Sequence, residues 1–188
     1  MIKIAITGSL ASGKTTASKI LSSSRGPLYS ADKVVKNLYK KRNFKKNVFK
    51  KLNLKSKKNF KKEIIKKIIE QKKTLKKLER IIHPMVRKEM LKFILKNKSK
   101  SFLFFEIPLL VENKLNKYFD IVIFIKSRKD LRIKRYISKG GKKHLFKVLD
   151  KQQLKENKKI KYCDYVVVNN HSIKLLKKKL FNIIRIYE

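Results

Sequence analysis

Residues 8–16 read Gly-Ser-Leu-Ala-Ser-Gly-Lys-Thr-Thr, and residue types at this spacing serve one kind of chemistry well. The two glycines let the backbone turn so tightly that successive N–H groups aim at a single anion. The helix expected next adds its unpaired N–H groups and the positive end of its dipole. Lys14 stands where it can reach the β- and γ-phosphates of a nucleoside triphosphate. The Thr15 hydroxyl stands where it can ligate Mg²⁺. With only 5 glycines among 188 residues, the chain is poor material for making this pattern by accident. The plainer alternative is a glycine turn before a helix, with Lys14 exposed like the other lysines.

Chemistry of this kind needs a strand before the loop and a helix after it. Residues 1–6, Met-Ile-Lys-Ile-Ala-Ile, form a short apolar run suited to a buried parallel strand, and residues 16–21 have helical spacing. A second strand is expected near Leu28 and Tyr29, after the Gly26-Pro27 turn. Further strands are expected over 101–108, 120–125 and 165–168, with a closing helix over 172–186. Between 33 and 97 the chain is lysine-rich, lacks glycine and spaces its apolar residues as amphipathic helices do. His83-Pro84 is expected to break that helical run, because proline disfavours helix in the residue before it. Strands alternating with helices argue an α/β fold with a parallel sheet covered on both faces.

Ligands of such sheets collect at the carboxyl ends of the strands, so polar residues there are the candidates. Thr7 precedes the loop, Asp32 follows the second strand, Glu106 ends the third, and Asn169 and Asn170 follow the last. Phosphoryl transfer to an alcohol calls for a carboxylate that accepts the hydroxyl proton, and Asp32 is the choice. It is equally placed to N-cap a helix starting at Lys33. Glu106 could orient Mg²⁺ or substrate, or simply pair with a lysine. His83 is a substrate ligand or a polar residue at a helix break, and Cys163 reads as a small buried residue. The basic segment 127–154 carries Arg128, Arg132 and Arg135, with Gly140-Gly141 as a turn. Arginines on a flap can neutralise charge on a transferred phosphoryl group. Alone, the segment also reads as a solvated basic helix.

The formal net charge is +40, from 53 Lys and Arg against 13 Asp and Glu. A nucleic-acid or membrane-surface binder is one reading. Lysine dominates and is scattered, however, as in a chain drifting toward A+T-rich codons, and base readers favour arginine. The single cysteine excludes an internal disulfide and a cysteine-rich zinc site. With no apolar run of membrane-spanning length, and a strand beginning at once, a cytoplasmic enzyme without a signal peptide is expected.

Together these pieces resemble the dephospho-CoA kinase family. The phosphate loop is followed by Ser30-Ala31-Asp32, similar to an Asp-Ala-Asp element. Residues 78–86, Leu-Glu-Arg-Ile-Ile-His-Pro-Met-Val, are similar to the Leu-Glu…His-Pro-x-Val signature. Residues 106–112, Glu-Ile-Pro-Leu-Leu-Val-Glu, are similar to Asp-x-Pro-Leu-Leu-x-Glu, and residues 163–169 to a late Ala-Asp-Tyr-Val-Ile-Asp-Asn. The resemblance implies a three-layer P-loop fold whose core is 1–32, 98–126 and 155–188. It also implies a helical substrate (CoA) domain at 33–97 and a lid at 127–154. The activity it implies is transfer of the ATP γ-phosphate to the 3′-hydroxyl of dephospho-CoA, with Mg²⁺ and no specific nucleic acid or membrane partner. On that reading Gly8, Ala11, Ser12, Gly13, Lys14, Thr15, Thr16 and Asn169 hold ATP, with Thr15 also on the metal. Thr7, Asp32, His83 and Glu106 line the acceptor site, and Asp32, Lys14 and Arg135 are catalytic. Ser30, Glu106 and Val168 stand where the family has Asp. The family's pair of lid arginines maps either to Arg135 and Lys139 or to Arg128 and Arg132. A nucleoside or nucleotide kinase of the same fold, or a nucleic-acid-binding ATPase, are the competing functions.

Overall fold

The computed structural model describes residues 1–55, 59–71 and 73–188; residues 56–58 and 72, inside the stretch read as helical, lie outside the described residues. The chain forms two compact units, 1–30 with 97–188, and 31–96.

The first unit is built on five parallel strands: β1 (Ile2–Gly8), β2 (Leu28–Ser30), β3 (Phe102–Glu106), β4 (Ile121–Lys126) and β5 (Tyr165–Val168). Their spatial order is β2-β3-β1-β4-β5, so β1 is central. Ile6 lies opposite Glu106 on one side, and Gly8 lies opposite Ile125 on the other. The loops leaving β1, β3, β4 and β5 therefore emerge along one edge. α1 (Lys14–Ser22) and α9 (Ile173–Ile184) bring Ala17, Leu21, Leu176 and Leu180 against Ile4, Ile6, Phe104 and Ile123. Residues of the opposite sheet face, among them Ala5, Leu103, Phe105 and Phe124, are fully buried too. Burial on both faces explains why β1, β3 and β4 read as continuous apolar runs rather than alternating ones. Each fully buried Ile or Phe contributes about 1.5–3 kcal/mol of transfer free energy. Along the same unit run α6 (Lys129–Ile137), α7 (Lys143–Gln152) and the short α8 (Glu156–Ile160).

The second unit contains α2 (Ala31–Leu38), α3 (Arg42–Lys51), α4 (Phe60–Glu70) and α5 (Lys73–Lys96). Leu38, Phe44, Val48, Leu52, Ile64, Leu78 and Ile81 form its core. Two local expectations fail here. α5 runs unbroken through Pro84. Losing one backbone hydrogen bond and clashing with the preceding turn costs about 3 kcal/mol. Leu78, Ile81, Ile82, Met85 and Val86 all pack on the same cluster, and that packing on both sides of Pro84 offsets the cost. Asp32 is not an N-cap either: α2 already begins at Ala31, and Asp32 lies in its first turn, where its charge meets the positive helix end.

Candidate active site

The loop between β1 and α1 has the backbone its glycines were expected to permit. Gly8 and Gly13 have φ of 151° and 100°, and Ala11 adopts a left-handed φ of 58°. A side chain at Gly8 would run into the Ile125 carbonyl, and one at Gly13 into the Asn169 amide. Ser12 N–H closes the turn on the Ser9 carbonyl at 3.2 Å. The first bond back within α1 is Ala17 N–H to the Gly13 carbonyl at 3.0 Å, so the N–H groups ahead of it are those a helix leaves for an anion. The Ser12 hydroxyl is buried with no hydrogen-bond partner among the described residues. Lys14 is not exposed, as the plainer alternative would have it. It is 9% exposed, and its Nζ donates to the Ser9 carbonyl at 2.9 Å. The ammonium is thereby curled over the loop that it serves.

Each strand end delivers one polar group. Thr7 is buried and its hydroxyl donates to the Pro108 carbonyl at 3.2 Å. Glu106 is buried at the end of β3 and accepts from the Thr15 hydroxyl at 2.5 Å, not from a lysine. A hydroxyl and a carboxylate in contact at a phosphate loop form an oxygen-only donor set, which suits a hard dication such as Mg²⁺. Asn169, just past β5, donates from Nδ2 to the Ser12 carbonyl at 2.9 Å. Ser127, just past β4, donates to the Asn169 carbonyl at 2.9 Å. Ser127 was missed in the sequence, although the strand-end rule that selected Asn169 would have found it. Thr16 is half-buried in the first turn of α1.

The arginines of the basic segment sort themselves by geometry. Arg128 is exposed and chelated by its neighbour Asp130, at 2.7 and 3.1 Å. Arg132 and Arg135, one turn apart on α6, both face the loop. Arg135 Nη1 donates to Ser127 Oγ at 3.0 Å and to the Ser12 carbonyl at 3.4 Å, while Nη2 donates to the Asn169 carbonyl at 3.0 Å. Arg132, 6% exposed, donates from Nη1 to the Leu10 carbonyl at 3.2 Å and to Asp150 at 2.5 Å. The segment is therefore not a solvated helix: two of its guanidinium groups pack on the loop. Lys139 is exposed. Asp150, Glu156 and Lys159, the last paired with Glu112, also bear on this region and had no signal in spacing, because their partners lie far away in sequence; Glu112 entered only as the last residue of the 106–112 signature.

Asp32 and His83 belong to the second unit. Asp32 is exposed in the first turn of α2, two residues along the chain from the end of β2. His83 is half-buried within α5. Cys163 is partly buried, and burial together with Asp164 pushes its thiol up to about 12, which leaves almost no thiolate at neutral pH.

A central parallel strand, a glycine loop wrapped on a helix N-terminus, and a strand-end carboxylate against the loop threonine define a P-loop kinase. The pattern of the dephospho-CoA kinase family matches residues 2–174, and the chain belongs to that family. It is 31% identical over 182 residues to the dephospho-CoA kinase of Fusobacterium nucleatum, covering 94% of each chain. Among solved structures, the dephospho-CoA kinase from Campylobacter jejuni superimposes with a TM-score of 0.68 at 28% identity, covering 97% of this chain and 95% of that one. A Thermus thermophilus structure shares the fold with a TM-score of 0.82 at 23% identity, over 98% and 96% of the two chains. No helix among the described residues is long and apolar enough to cross a membrane.

Proposed function

We propose that this kinase moves the γ-phosphoryl group of ATP to the 3′-hydroxyl of dephospho-CoA at the β1–α1 loop. The observation that carries the reading is the Thr15–Glu106 contact beneath a loop whose buried lysine curls over it. ATP phosphates lie against the N–H groups of residues 11–16, with Gly8 and Gly13 allowing the approach and Asn169 fixing the Ser12 carbonyl. Lys14 exchanges the Ser9 carbonyl for phosphate oxygens and neutralises charge that builds during transfer. Thr15 and Glu106 would hold Mg²⁺, whose charge would offset that of the phosphate oxygens.

Asp32 accepts the proton of the acceptor hydroxyl as the oxygen attacks phosphorus, leaving ADP as the departing group. Thr7, Asp32, His83 and Glu106 line the acceptor side. Residues 127–154 act as the lid over a core of 1–32, 98–126 and 155–188, and residues 33–97 serve as the CoA domain. Arg135 and Arg132 are the arginines of that lid; Lys139 and Arg128 are not. We place the enzyme in the cytoplasm. Coupled ADP-release assays with dephospho-CoA, set against nucleoside and nucleotide acceptors, test the reading. Turnover of another acceptor without turnover of dephospho-CoA overturns it.

A further inference from the structure

Lys159 is fully buried on the short helix α8. Its Nζ lies 2.6 Å from Glu112 Oε1 and 3.2 Å from Gln153 Oε1. Glu112 Oε1 also accepts the Leu154 N–H at 3.3 Å, while Oε2 is buried with no partner among the described residues. A buried pair left with an unmatched oxygen is poor evidence for stability, since desolvating two charges costs about what their attraction returns. What the pair does fix is place. α8 has five residues and is too short to hold itself. Three residues before Lys159, Glu156 Oε1 accepts the Ser9 hydroxyl at 2.7 Å. The Ser9 carbonyl in turn accepts from Lys14 Nζ. An unbroken line of contacts thus runs from Glu112 through Lys159, α8, Glu156 and Ser9 to Lys14.

We infer that Glu156 is a positioning residue for the phosphate loop, and that the Glu112–Lys159 ion pair serves to hold it against Ser9. A carboxylate beside an anion site repels the anion, so its presence opposes ATP binding. Its compensating role is to fix the Ser9 segment and with it the carbonyl on which Lys14 rests. The inference rests on the loop being the ATP site.

The two effects have opposite signs, and that makes the test specific. Glu156→Ala should lower kcat between about tenfold and a hundredfold, the scale of a small misplacement. KM for ATP should stay level or fall, because the repelling charge is gone. Glu156→Gln still accepts from Ser9 and should keep most of kcat. Ser9→Ala should lower kcat as Glu156→Ala does, and the double variant should be no worse than either single. Glu112→Leu combined with Lys159→Met replaces the pair by apolar groups, so Tm should hold while kcat falls to the Glu156→Ala level. Multiplicative losses in the double variant, a raised KM with unchanged kcat, or full kcat in the apolar replacement each overturn the inference. If ATP with Mg²⁺ fails to raise the Tm of the unaltered protein, it is the loop assignment that fails. If that shift is present and the cycle is additive, the strut alone fails.

Discussion

The two units bury very different things. Among the described residues, twelve polar or charged ones are buried, and of these only Thr74 lies in the helical unit; the other eleven lie in the sheet unit, most of them on the loop or at the strand ends beside it. The helical unit has the opposite character, an apolar core inside a shell of cations. Its 66 residues carry 25 Lys and Arg against 5 Asp and Glu, which is half the net charge on about a third of the chain. Burying a polar group without a partner costs roughly 1–3 kcal/mol. A cluster of buried, paired polar groups therefore marks a place where position matters more than stability. Solvated lysines carry no such cost and record composition as readily as function.

The largest effect that could break this contrast is expected at Lys14. Lys14→Met keeps the aliphatic stem in its buried slot and removes the charge. kcat should fall by about 10²–10³ or more, as for loss of one preorganised charge stabiliser. Tm should drop modestly, since losing a buried hydrogen bond from a charged donor costs about 1.5–3 kcal/mol. Near-normal kcat would mean that the buried ammonium is structural and that burial does not mark the chemistry.

Asp32 challenges the contrast from the other side, because it is exposed and belongs to the helical unit. Asp32→Asn keeps size and polarity and removes the base. A fall in kcat of about 10²-fold is expected, with ATP affinity and Tm nearly unchanged. A sharp loss of Tm with kcat retained would assign Asp32 to the start of α2 instead of to the reaction.

How much of this was legible in the sequence follows the same division. The loop, the strands and the strand-end residues Thr7, Glu106 and Asn169 were readable because each rests on local spacing. The unbroken α5 was not, because Pro84 is a local signal overridden by Leu78, Ile81, Met85 and Val86 packing on one core. The burial of Lys14 was hidden among 45 look-alike lysines. The choice between arginine pairs depended on which face of α6 meets the loop. Arg132 and Arg135 are the two that donate to carbonyls at the loop, a pairing neither alignment offered. Glu112–Lys159 and Ser9–Glu156 join residues 47 and 147 positions apart, which no window of sequence connects.

That arginine choice gives a smaller and sharper comparison within the sheet unit. Arg135→Lys keeps the charge but loses the fork that spans Ser127, Ser12 and Asn169. A loss of about tenfold in kcat/KM for ATP is expected, near the 1.4 kcal/mol such a change represents. Lys139→Ala, at an exposed position, should change kcat/KM less than twofold. Equal losses at both positions would restore Arg135 and Lys139 as the working pair.

The smallest effect expected concerns the cationic shell of the helical unit. If its lysines are compositional, single- and double-stranded DNA should bind weakly and without sequence preference. That binding should fade steeply with salt, because released counterions are its main source. ATP binding should fade less between low and physiological ionic strength, since directional N–H groups at a partly enclosed loop are screened less than exposed charges. A salt titration of both ligands reads the two slopes side by side. Sequence-selective DNA binding that persists at physiological salt would show that the shell, and not only the buried polar cluster, has been shaped for a ligand. Absence of DNA binding at any salt would show that scattered lysines, even at this density, build too diffuse a field to hold a polyanion. The contrast between the units would then rest on burial alone.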